Sequence, residues 1–380
     1  MRKRTRGGMA LAIASGVSAA LAGCGPDTTV DDDAPALTPA QKTVAAGCPP
    51  CEAELETRAV LTDSAGEGFF HSTRPIARRD GMGRYHAATI QSSHLLVFDS
   101  TGVQVDLLGR RGEGPGEFQW AIPPARGPGD SLLAWDVLQR RTAVFSPSLE
   151  FVRDYRFPFP PMHVFNDGSI LVNQQIPDPD YIGYPLHVVS PEGDILRSFG
   201  QDPPEFRLDR ADRYYRALAF TDDGRVWTSP TRRLELEFWD PATGERLREL
   251  PTEWPDFRVD DRWGQEGGVR RNEPPTVLEG MIHHPQGVLW ILLRHAAPDW
   301  EPIGGDAPLP ELRLDESERF YQWVVLAVDE ASGEILGEGR FGHRVTGVPG
   351  ADFFVSGEQV VADHVEVEIW EPVLMPPGGP

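Results

Sequence analysis

An all-β chain closed into a propeller of six four-stranded antiparallel blades is the architecture this sequence predicts. Three observations predict it. A unit of two alternating strands joined by a polar or proline-containing turn recurs along the chain. A second hairpin precedes each copy, so that two hairpins make one four-stranded blade. A lone strand-like segment near the start matches a strand missing at the end. No long segment carries apolar residues at the spacing of a helix.

The chain opens with Arg2, Lys3, Arg4 and Arg6, then an apolar run from Met9 to Leu21, then small residues before Cys24. That is the layout of a secretory signal, and the run is too short to span a bilayer comfortably. Leu21-Ala22-Gly23-Cys24 resembles the bacterial lipobox. The resemblance implies a lipid on Cys24, a mature chain that starts there, and attachment to the bacterial cell envelope at the outer membrane or facing the periplasm. Residues 1–23 are thus the signal peptide, 24–51 a flexible tether with a cysteine pair, and 52–376 the propeller. The tether is polar, with Asp31, Asp32 and Asp33 in a run and prolines scattered through it. Cys48-Pro-Pro-Cys51 closes it, a possible structural disulfide in an oxidising compartment. No strand-to-helix step surrounds the pair, as a thioredoxin-like redox role would need.

Leu55–Leu61 is the isolated strand. First-hairpin turns then follow near 81, 129, 168, 224, 287 and 357, which gives the count of six. The second unit reads as Leu95–Gly102, Thr142–Ser148, Leu186–Gly193, Leu236–Gly244 and Val325–Gly333. The last blade has three strands, ending at Val365–Trp370, and Leu55–Leu61 supplies the fourth. That pairing closes the ring and removes its open edges.

Gly109-Arg-Arg-Gly-Glu-Gly-Pro-Gly-Glu-Phe118, followed by Gly129–Asp136, Arg141 and Val144-Phe145, resembles the linker and strand pattern of bacterial six-bladed propellers, including NHL repeats. The resemblance is specific between about 95 and 150 and architectural elsewhere. It implies a fold and no single activity. A phosphate loop is excluded, because no Gly-Lys-Ser/Thr follows the glycines and no helix opens after them.

Hydrophobic residues make up 40% of the chain, enough for a large core. The net charge is -22, and without the four leader cations the rest carries more. Such a surface repels phosphate backbones, which excludes nucleic acid as a partner. Partners are therefore the membrane, through the anchor, and an unknown small-molecule, glycan or protein ligand.

Within a blade, the turns after the first and third strands share one end, and the remaining connections share the other. The first set is short. The second is long and varied, at 109–120, 173–185, 200–216, 252–275 and 296–320, and elaborated loops are where sites form. They carry the candidate ligand-face residues Arg110, Arg111, Glu113, Trp120, Tyr214, Arg216, Trp254, Trp263, Arg270 and Trp300. Aromatic and arginine side chains suit carbohydrate or peptide recognition. The competing role for the same aromatics is to pin long loops to the ring.

No catalytic residue is predicted. Six-bladed propellers include calcium-dependent lactonases and quinone-dependent dehydrogenases, so an enzyme is a rival reading; no cofactor is predicted, and calcium is possible. Calcium needs inward carboxylates or amides, whereas the candidate inner strands offer Arg74, His163, Arg216 and Glu279. Asp99, Asp136, Asp240 and Asp329 recur at strand ends, where capping a turn is their expected job. His283 and His284 are adjacent and point to opposite faces of a strand. Zinc, metalloprotease and serine-hydrolase motifs are absent from the sequence. The functional expectation is an exported binding module for carbohydrate, peptide or protein. The alternatives are a metal- or quinone-dependent enzyme on the same scaffold and a structural scaffold in an envelope complex.

Overall fold

The computed structural model describes residues 51–62, 76–88, 92–200, 215–259, 273–301, 320–357, 359–361 and 364–376. Cys24, Cys48, Arg74, Tyr214, Trp263 and Arg270 lie outside them. Among the described residues, no helix is long and apolar enough to cross a membrane.

The chain begins with β1 (Cys51–Thr62) and then builds four separate four-stranded antiparallel sheets. The first is β2 (Ile76–Arg79), β3 (Tyr85–Ala88), β4 (Leu95–Phe98) and β5 (Gln104–Leu108). The second is β6 (Ala121–Arg126), β7 (Leu132–Asp136), β8 (Arg141–Phe145) and β9 (Phe151–Arg156). The third is β10 (His163–Val164), β11 (Ile170–Asn173), β12 (Leu186–Val189) and β13 (Ile195–Phe199), and the fourth β14 (Arg216–Phe220), β15 (Val226–Pro230), β16 (Leu236–Asp240) and β17 (Glu245–Leu250). There follow β18 (Val277–His284), β19 (Val288–Ala296), β20 (Tyr321–Asp329), β21 (Ile335–Phe341), β22 (Val345–Gly347), β23 (Phe354–Ser356), β24 (Gln359–Val361) and β25 (His364–Met375). These gather with β1 into one nine-stranded sheet of order β18-β19-β20-β21-β1-β25-β23-β22, with β24 beside β25. The result is a propeller-like arrangement of four-stranded antiparallel sheets. Four of them stand separate, where the sequence predicts six blades.

Middle strands are buried on both faces, and alternate residues serve different interfaces. In β4, Leu95 and Val97 pack towards the second sheet while Leu96 and Phe98 pack towards β1 and β25. In β20, Val324, Leu326 and Val328 meet the fourth sheet, whereas Trp323, Val325 and Ala327 meet Phe354 and Trp370. Each such Val, Leu or Phe side chain stabilises the fold by about 1.5–3 kcal/mol. Outer strands such as β5 and β17 expose most of their residues to solvent.

The N-terminal strand pairs antiparallel with β25 from Glu52↔Met375 to Thr62↔Glu366. It also runs parallel to β21 at Cys51↔Gly337 and Glu52↔Glu338. Cys51, which the sequence reading assigns to the tether, is buried at the head of this strand. The last repeat also differs from expectation. Its first reversal lies between β22 and β23, not near Gly357-Glu358, and Pro349-Gly350 forms the bend with Ala351 N–H donating to the Val348 carbonyl at 3.0 Å. Because β1 is parallel to β21, its first residue lies at the end of the molecule that carries the short turns.

Candidate functional site

A cavity of about 920 Å³ opens at the short-turn end. It is lined by residues of the β2–β3, β6–β7, β10–β11, β14–β15 and β22–β23 turns, with the ends of β2, β6, β10 and β14 beside them. The turns are built from Asp, Gly and Pro because those residues bend the chain tightly and satisfy their own backbone groups. In the first turn Asp80 is buried and accepts from the Met82 and Arg84 backbone N–H groups, each at 2.9 Å, from Arg84 Nε at 2.8 Å and from His86 Nε2 at 2.9 Å. Burial alone would raise its carboxyl pKa, but the bonds from His86 and Arg84 outweigh it and hold the group well below the usual carboxylate range.

Three guanidiniums line the cavity. Arg79 reaches Asp352 at 3.7 Å, and Arg126 pairs with Asp130 at 2.6 Å. Arg78 is 9% exposed, and among the described residues its one hydrogen bond runs from Nη1 to the Pro161 carbonyl at 3.2 Å. Burial pulls its pKa down to about 10, which leaves it charged at neutral pH. His163 stacks on Phe220 with centroids 4.5 Å apart and meets Phe165 edge-on at 4.9 Å. Burial first, and the charge of Arg78 second, push the His163 pKa down to about 4, so the ring is neutral. A smaller cavity of about 310 Å³ is lined by Asn173, Tyr215, Arg216 and Glu279 among others. Of the inner-strand residues named from sequence, His163 therefore lines the larger cavity, and Arg216 and Glu279 the smaller. Arg78 was not singled out from sequence. Its signal was an arginine alternating with Ala77 in a short strand just before Asp80-Gly81.

The described ligand-face candidates lie away from the larger cavity. Arg110 pairs with Glu117 at 2.6 Å, and Glu113 accepts from Gln119 at 2.7 Å. Arg111 bridges to Phe118 in the backbone, and Trp120 and Trp300 are half-buried. Arg216 is buried, 3.4 Å from Glu237, and also donates to the Gly200 carbonyl at 3.0 Å. Trp254 is buried and donates to Glu338 at 2.9 Å, with Arg340 over its ring at 5.6 Å.

The glycine-rich linker is held by the residues that carry the propeller resemblance. Arg141 donates to the carbonyls of Glu113, Gly114 and Glu117, and Asp136 accepts from the Gln119 N–H at 2.6 Å. Gly109 has φ +80°, and a Cβ there would fall 2.5 Å from the Phe118 ring, so glycine is required at that turn. Asp99, Asp240 and Asp329 cap their turns through backbone N–H groups, as expected. Among the described residues, no three carboxylate, imidazole or thiol side chains converge to hold a metal ion.

The sequence matches no protein-family model and no curated protein sequence. Solved structures do resemble it. A member of the DUF4221 family from Bacteroides vulgatus superposes with a TM-score of 0.51 and 12% identity, covering 85% of this chain and 99% of that one. A protein described as exported, from Bacteroides fragilis, superposes with a TM-score of 0.52 and 11% identity, covering 83% and 94%. At such identities the likeness is one of fold alone.

Proposed function

We propose that this chain is an exported six-bladed propeller, anchored through a lipid on Cys24, that binds a small ligand in the cavity at its short-turn end. The cavity of about 920 Å³ carries the reading, since small-molecule sites are concave, of this size, and lined by a few placed polar groups. Six blades follow from dividing the nine-stranded sheet into β18–β21 and a second unit of β22, β23, β25 and β1, between which the strand pairing, among the described residues, is the short parallel contact of β1 with β21. Six apolar clusters support the division, one at each junction around the ring, including one between these two units. The leader and lipobox of the sequence support export and anchoring. The described long-loop aromatics and arginines serve in this reading to hold loops.

Thermal melting of the full chain tests the reading. The panel contains sugars, short peptides, aromatic acids, amides and amines, and calcium with and without chelator. At least one organic class is expected to raise the midpoint, because a ligand at a hundredfold excess over Kd stabilises by about 2.7 kcal/mol. Asn166→Trp, at an exposed rim position of the cavity, is expected to blunt that shift. A panel with no effect, a shift indifferent to Asn166→Trp, or a chelator-reversible calcium shift alone would each overturn it.

A further inference from the structure

We propose that the ligand of this cavity carries a single carboxylate, which pairs with Arg78. The inference rests on the reading of the cavity as a ligand site. Strand alternation turns Ala77 into the core between sheets, while Arg78 lines the cavity. Arg78 differs from the other two cavity arginines in having no acidic partner among the described residues. The carboxylate nearest in sequence, Asp80, is committed to His86, Arg84 and two backbone N–H groups. The rest of the guanidinium opens to the cavity without a protein partner among the described residues, and a planar anion there would complete it with two parallel hydrogen bonds.

The surroundings narrow the class of anion. Of the aspartates lining the same cavity, Asp80, Asp130, Asp223 and Asp352 each pair with an arginine. The charge left for a ligand is therefore the single one of Arg78, which a doubly charged group such as phosphate exceeds. One carboxylate matches one free guanidinium. Beside Arg78, the neutral His163 ring lies flat on Phe220 and adds a half-buried aromatic wall without adding a second positive charge. An aromatic or similarly flat carboxylic acid therefore fits both the charge and the wall.

The test titrates the full chain with benzoate, benzamide and benzylammonium, followed by saturation-transfer NMR, with inorganic phosphate as competitor. Benzoate is expected to bind about tenfold or more tightly than benzamide, the difference that a charge-assisted pair makes. Phosphate is expected not to displace it. Arg78→Met should weaken benzoate about ten- to a hundredfold. Arg78→Lys, which keeps the charge without the fork and guards against a folding defect in the first variant, should fall between. Benzamide binding as tightly as benzoate, displacement by phosphate, or an unchanged Arg78→Met would overturn the carboxylate while leaving the cavity as a site. Absence of binding by all three fragments would instead overturn the cavity reading itself.

Discussion

His163 and His187 show how burial sets charge in this molecule. His163 lies among aromatic rings, and His187 is fully buried, with Ser198 Oγ 2.7 Å from Nδ1 and the Gln174 carbonyl 3.1 Å from Nε2. Burial pushes both pKa values down to about 4, while the unfolded chain titrates near the ordinary histidine value of about 6.5. Between these values the unfolded state binds more protons than the folded state, so stability falls as pH drops from about 6.5 towards 4 and is unaffected by these groups above that window. Urea midpoints measured from pH 7.5 to 4.5 should show the decline, and His187→Asn should flatten it. A midpoint constant across the range would contradict the assignment. His163 was legible as a channel residue, because strand counting puts it on an inner strand. Arg78 was not, since its significance comes from what fails to pair with it across three sheets, and no local pattern encodes that.

At the scale of elements, the hairpins were legible because Gly, Asp and Pro mark their turns and alternation marks their strands. Where two turn signals lay close together, at Pro349-Gly350 and at Gly357, local chemistry could not choose, and pairing of β22 with β23 decided for the first. The partnership of β1 with β25 was readable as an orphan strand at each end of the repeat. Its parallel contact with β21 was not, although Gly337 and Gly339 are its trace. A Cβ on Gly339 would stand 1.9 Å from the Ala53 carbonyl oxygen, closer than any packing allows. Gly339→Ala should therefore push β1 away and destabilise by about 1–3 kcal/mol, as overpacked sites do. Calorimetry of the variant checks this, and an unchanged melting temperature would show that β1 approaches β21 less closely than described. Loop length, the other signal in the sequence, points to the opposite end from the larger cavity, because that cavity is floored and rimmed by short turns from separate repeats.

At the scale of the whole molecule, hydrogen bonds join the first and last described strands, with no covalent bond needed between them. Removing residues 51–62 from the chain exposes the edges of both β25 and β21. Such edges recruit other strands, so the truncated chain should lose its cooperative melt and self-associate, as sedimentation velocity would report. A monomer melting like the intact protein would refute a closing role for this strand. The same strand also sets orientation. Its head, Cys51, lies at the end of the molecule where the cavity opens, and the stretch from residue 25 to 50 leads from there to Cys24. In the anchored reading proposed above, a lipid on Cys24 would tether the molecule from the end at which the cavity opens, and the mouth, not the long-loop end, would share its side with the membrane.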